Sequence, residues 1–176
     1  MAINKCMILE VYPYKSESGE IHSGDIVFKV KDINVKLVGF SIDIDLIKYA
    51  MQNIGKYIEM DISIDISKGM KKFNEKKKTI ELLKVESRQS EIMPPNCEYR
   101  VIGEVISTLY LELSNGNKEY YSRIDCGFLV DYPLSKSELM KFETGEYKIG
   151  DYVIVELSRF DVNSPNMYKY KVVAHK

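Results

Sequence analysis

Side chains able to do covalent chemistry are scarce in this chain. Its two histidines are His22 and His175. Nucleophilic catalysis needs a serine or cysteine beside a histidine that a third group holds rigid. His22 lies in the polar stretch SGEIHSG and His175 is the penultimate residue, where chain ends fray, so neither is placed to act as a general base. No Walker loop, G-x-G-x-x-G or paired metal-ligand spacing occurs. The nearest approach to a metal site is DISID, with Asp61, Ser63 and Asp65 at alternate positions and Asp43 and Asp45 one element earlier. Hard oxygen donors of that kind suit magnesium or calcium. Carboxylates alternating with isoleucine also describe a strand with one solvated face, and that is the reading adopted. Glu112, Glu119, Asp125 and Glu156 read alike, as solvated or paired strand positions. No metal and no cofactor is expected, and the chain is expected not to be an enzyme.

What remains is electrostatic. KGMKKFNEKKK, residues 68–78, packs six lysines around one phenylalanine and one glutamate, in a chain of formal net charge −1 and pI near 6.2. A near-neutral total argues against coating nucleic acid through global charge, which leaves only a local cluster. In IVFKVKDINVK, residues 26–36, Ile26, Phe28 and Val30 point one way along a strand while Lys29 and Lys31 point the other, and Lys36 joins them across a hairpin. Lysines that bind phosphate release condensed counterions, and aromatic rings offer bases a surface for stacking. Phe73 in the lysine run, with Tyr12 and Tyr14 at the end of the first strand, supplies such rings. The candidate residues for binding single-stranded nucleic acid are therefore Lys29, Lys31, Lys36, Lys68, Lys71, Lys72, Phe73, Lys76, Lys77, Lys78, Tyr12 and Tyr14. The same lysines also suit a solvated loop and protection of a strand edge.

The elements that must carry these residues are mostly strands. A faint internal repeat relates VGFSIDI (38–44) to CGFLVDY (126–132), and IGKYIEMDISID (54–65) to IGDYVIVELSRF (149–160). In the second pair Gly55 and Gly150, Tyr57 and Tyr152, and Ser63 and Ser158 coincide, and apolar residues alternate in register, as half-buried strands require. Alternation predicts strands at 3–13, 25–31, 33–42, 56–66 and 78–86 in the first half. In the second it predicts 98–113, 117–124, 125–131, 151–161 and 167–174. DIDLIKYAMQNIG (43–55) has Leu46, Ile47, Ala50, Met51 and Ile54 at helical spacing, with Asp45 as N-cap and Gly55 as stop. SKSELMKF (135–142) is a second short helix. SNGN (114–117) is a hairpin turn, because Asn-Gly tolerates positive φ, and MPPN (93–96) marks a boundary, because paired prolines break helix and ladder alike.

Five strands with a helix between the third and fourth resemble the oligonucleotide/oligosaccharide-binding (OB) barrel. The resemblance implies a mainly β fold of two tandem five-stranded OB-like barrels, residues 1–92 with the lysine-rich loop and residues 93–176 rich in tyrosine. It also implies a ligand gripped by the faces of strands two and three and by the loops joining strands one to two and four to five. Most of the thirteen tyrosines fall in the second half. Tyrosine offers large contact area with a polar tip, so a protein partner or a second copy docking there is the rival expectation. The amino-terminal apolar run is interrupted by Lys5 and Glu10, and no stretch reaches the roughly 18 uninterrupted apolar residues of a membrane span. A cytoplasmic protein without membrane contact is expected. Cys6, Cys97 and Cys126 are odd in number and lie in apolar or alternating runs, which suits buried thiols in a reducing compartment.

Overall fold

The computed structural model describes residues 2–87, 90–165 and 167–173. The chain is mainly β. Its strands are β1 (Ile3–Lys15), β2 (Ile21–Val30), β3 (Leu37–Ser41), β4 (Tyr57–Lys72), β5 (Thr79–Val85), β6 (Cys97–Glu112), β7 (Lys118–Asp125), β8 (Leu129–Pro133), β9 (Tyr152–Asn163) and β10 (Tyr170–Val172). Helix α1 (Ile44–Met51) follows β3 and helix α2 (Lys136–Glu143) follows β8. Among the described residues no helix is long and apolar enough to cross a membrane.

All ten strands belong to one hydrogen-bonded sheet, and the pairings close on themselves twice. A first circuit runs β1–β2–β3–β9–β4 and back to β1. A second runs β6–β7–β8–β4–β9 and back to β6. The long strands β4 and β9 are common to both. Where they pass from one circuit to the other, the β4–β9 ladder shifts register between Ile64 and Met70. Side chains alternate across a sheet, so an extra residue re-aims those that follow. In β9 the buried set accordingly changes phase, from Val153, Val155 and Leu157 to Phe160 and Val162. In β4 it runs Ile58, Met60, Ile62, Ile64 and then Met70. One contiguous apolar core spans both circuits.

The two circuits repeat local contacts. Gly55 N donates to Ile8 O at 2.8 Å and Ile8 N to Lys56 O at 3.1 Å, while Gly150 N donates to Val105 O and Val105 N to Asp151 O, both at 2.8 Å. Gly55 and Gly150 both have positive φ, +81° and +95°, which explains why glycine occupies each. Each helix also catches the strand arriving from the other half. Asp43, the N-cap of α1, accepts from Leu46 N at 3.1 Å with one oxygen and from Ser164 N at 2.9 Å with the other. Glu138 closes a capping box with Ser135 at the start of α2 and accepts from Met70 N at 3.1 Å and from the Tyr132 hydroxyl at 2.7 Å.

Several expectations change. The residues expected as the fifth strand of the first half do form β5, but it pairs with β6 across the Met93–Asn96 boundary. The first circuit is closed instead by Phe160–Asn163 of β9. Alternation reports which face a strand buries and carries no information about its neighbour. The strand expected at 56–66 continues to Lys72, so Lys68, Lys71 and Lys72 stand on a strand and not in a loop. VGFSIDI and CGFLVDY do not superpose in role. Gly39 and Phe40 lie within β3, whereas Gly127 and Phe128 form the turn before β8. The N-cap of α1 is Asp43, with Asp45 in the first turn, and the helix stops at Met51, leaving Ile54 exposed in the following turn. His175 and part of the expected last strand lie outside the described residues.

Candidate functional site

Three lysines of the 68–78 run, Lys68, Lys72 and Lys78, pair with acidic residues of the second half. Lys68 lies 3.6 Å from Glu156 and Lys72 3.4 Å from Asp151. Lys78 lies 2.8 Å from Asp125 and 3.3 Å from Glu104, which together hold its ammonium above the usual lysine range. Lys77 lies 3.4 Å from Glu81. Lys29 donates to Asn34 at 3.2 Å. Among the described residues, Lys31, Lys36, Lys71 and Lys76 have no carboxylate partner, and Phe73 is half-buried between β4 and β5. The hairpin loop bearing Lys31 and Lys36 packs Ile33 against Gly127, two residues beyond the Asp125 that holds Lys78. The hairpin thus meets the second circuit beside Lys78, whereas Lys68 borders Ile66, Tyr99 and Glu98, and about half of these lysines are already neutralised.

Tyr12 and Tyr14 lie elsewhere, on the outer face of the first circuit. Strand register places Tyr12, Asp25, Phe40, Asp161 and Ser63 side by side across β1, β2, β3, β9 and β4. Directly opposed residues have Cβ atoms about 4.5–5.5 Å apart and point to the same face. The row therefore alternates aromatic and acidic groups. Arg159, two residues before Asp161, lies with its guanidinium 3.9 Å from the centre of the Phe40 ring, and its Nε reaches Asp161 at 2.9 Å and Asp65 at 3.1 Å. The Tyr14 hydroxyl donates to Asp25. Burial holds the Asp25 carboxyl above the usual range, against the pull of Tyr14 and Arg159. Asp161 is also held high, first by burial and further by the nearby Asp65 and Asp25 charges.

This face forms one wall of a groove of about 490 Å³. The opposite wall is the connection into β6, with Met93, Pro94, Pro95 and Glu98, and the floor is Tyr99, Ile66 and Ser158. Ile66 is 52 % exposed because the register shift of β4 turns it outward where the circuits cross. The Tyr99 hydroxyl accepts from Val38 N and donates to Lys36 O, each at 3.1 Å, tying β6 to β3 beneath the groove. Of these residues the sequence reading singled out Tyr14 alone. Asp25, Phe40 and Arg159 each sit in an alternating strand without a motif. The two adjacent prolines were legible only as a boundary.

A second polar cluster is sealed. Arg123 pairs with Asp131 through two bonds of 2.8 and 3.0 Å, and Asp61 lies beside them, 4 % exposed, with its Oδ1 unpaired. Burial, then the Asp131 charge, pushes the Asp61 carboxyl up to about 6. The expectation that Asp61 and Asp65 share a solvated face is corrected for Asp61, which faces this interior cluster, while Asp65 is exposed and pairs with Arg159. The cause is that β8 of the second half joins β4 at Ser63, which brings Asp131 and its partner Arg123 against Asp61. Among the described residues no group of three or more His, Cys, Asp or Glu side chains could hold a metal ion. Cys6 and Cys126 are buried and Cys97 is half-buried, all as free thiols, and burial pushes Cys6 and Cys126 up to about 12.

Compared with protein-family models, curated proteins and solved structures, the chain matches none. The geometry of the site therefore carries the functional reading.

Proposed function

We propose that this chain is a non-catalytic protein-interaction module made of two OB-like barrels that exchange their fifth strands, and that the groove of the first barrel receives an extended segment of a partner polypeptide. Five strands with a helix between the third and fourth support the barrel reading in each circuit. The observation that carries the function is the row Tyr12–Asp25–Phe40–Asp161. Its centre, Asp25 and Phe40, lies on strands two and three, where OB folds take ligands, yet its charges are carboxylates. A phosphate about 4 Å from one carboxylate is repelled by roughly 1 kcal/mol in water and about 4 kcal/mol at a partly buried surface. Aromatic, proline and methionine walls suit a polypeptide instead.

A second reading, single-stranded nucleic acid on the hairpin side, is favoured by Lys29, Lys31 and Lys36, which have no carboxylate partner among the described residues. One pair of titrations separates the two. Peptides selected from a random displayed library against the full chain are expected to bind the parent and to lose at least tenfold in affinity to Phe40→Ala. A labelled single-stranded oligonucleotide at low salt is expected to show no saturable binding. Peptides indifferent to Phe40→Ala, together with oligonucleotide binding that Lys31→Gln/Lys36→Gln abolishes, would transfer the function to the lysines.

A further inference from the structure

The groove already contains a worked case of what it binds. Arg159 stacks its guanidinium on Phe40 and is flanked by two carboxylates, Asp161 and Asp65. The chain's own arginine shows that an aromatic ring beside a carboxylate is the favoured environment for a planar cation here. One position along the same row, the pattern recurs with no cation in ion-pair contact, Arg159 acting on that carboxyl only from a distance. Asp25 stands between Tyr12 and Phe40 in register, accepts from the Tyr14 hydroxyl, and makes no ion pair among the described residues. On the facing wall Glu98 is half-buried and also makes no ion pair among the described residues, while Glu86 pairs only with the exposed Lys84. Asp25, Glu86 and Glu98 thus line a groove in which, among the described residues, Arg159 is the only cationic lining residue. The rest of the wall, Val38, Ile66, Met93 and Pro95, is apolar.

We infer that the bound segment inserts an arginine between Tyr14 and Phe40, where its guanidinium pairs with Asp25 and stacks on the aromatic rings, and lays apolar residues over Ile66 and Met93. This rests on the reading of the groove as a polypeptide site and adds the chemistry of the side chain that enters it. Arginine is preferred to lysine because its flat, weakly hydrated fork can stack and pair at once, whereas an ammonium is a hydrated point charge. The excess of carboxylates also selects against acidic segments.

The test uses peptides selected on the full chain, each resynthesised with its arginine replaced by lysine or by citrulline, which keeps the shape and removes the charge. Citrulline is expected to weaken binding at least tenfold and lysine several-fold, and Asp25→Asn on the protein side at least tenfold. Should Asp25→Asn fail to fold, the citrulline series decides on unaltered protein. Peptides that lose affinity to Phe40→Ala but bind equally with citrulline would overturn this inference while leaving the groove reading in place. Selected peptides insensitive to Phe40→Ala would remove the groove reading and the inference with it. Free arginine that displaces the peptide at equal concentration would also overturn it, because the apolar contacts would then contribute nothing.

Discussion

At the scale of single residues, Asp61 is a costly side chain to bury. Its Oδ1 is buried without a partner, beside the Asp131 carboxylate, and its carboxyl is pushed up to about 6. An unfolded aspartate titrates near about 3.9. The folded state therefore holds this proton more tightly, so Asp61 ionisation destabilises the fold as pH rises through about 6, and the penalty disappears below the unfolded value. Asp61→Asn removes the charge at similar volume. It is expected to raise stability at pH 8 by about 2–3 kcal/mol, near 1.4 kcal/mol per pKa unit, and to change little at pH 4. Thermal melts of parent and variant at the two pH values check this. A destabilised variant at pH 8 would mean that the attraction of the neighbouring Arg123 outweighs burial and the Asp131 charge. The Arg123–Asp131 pair close by is different in kind, since both ions are satisfied in a bidentate bond. A pair of that type sets register more than it adds stability.

At the scale of elements, the helices act as clasps. Glu138 combines an N-terminal capping box with bonds to Met70 N and Tyr132, so one side chain fixes α2, β8 and the transferred end of β4. Those hydrogen bonds hold its carboxyl below the usual range despite burial. It therefore stabilises the fold above the unfolded pKa of glutamate, and that contribution fades as pH falls through the lowered folded value. Glu138→Ala is expected to cost about 2–4 kcal/mol, a lost cap plus buried donors left unpaired. The denaturation midpoint in urea should fall, and the Met70 amide should lose protection from hydrogen exchange while the Ser164 amide, held by Asp43, keeps it. Equal loss at both amides would show that the two clasps are not independent. Much at this scale was legible. Ser135 and Glu138 have capping-box spacing, Asn115-Gly116 makes the turn between β6 and β7, and Gly55 and Gly150 precede the shared strands. The register shift near Ile64 was not legible, because the letters SIDIS continue the alternation that the ladder breaks.

At the scale of the whole molecule, each half lacks a strand that the other supplies. Phe160 and Val162 of β9, both fully buried, complete the first half's interior, and Met70 of β4 enters the second's. Burying a large apolar side chain contributes about 1.5–3 kcal/mol, and a domain's net stability is about 5–15 kcal/mol. Losing two such side chains and a flanking ladder leaves a fragment little margin. A chain cut between Ser90 and Asn96 is expected to yield fragments that are separately unfolded and that, when mixed, form a one-to-one complex with the parent's circular dichroism and melting cooperativity. Fragment 1–92 folding cooperatively by itself would show that the exchange of strands is dispensable.

Local chemistry settled where most strands and both helices lie, the turn at Asn115-Gly116 and the burial of Cys6 and Cys126, because these depend on side-chain period and φ preferences within a few residues. Partnership was decided only in three dimensions. Whether Lys78 meets a phosphate or Asp125, whether Asp61 faces water or Asp131, and whether β5 or β9 closes the first circuit all depend on which distant strand lies alongside. Backbone hydrogen bonds are indifferent to sequence, so that choice rests on how the buried faces pack together.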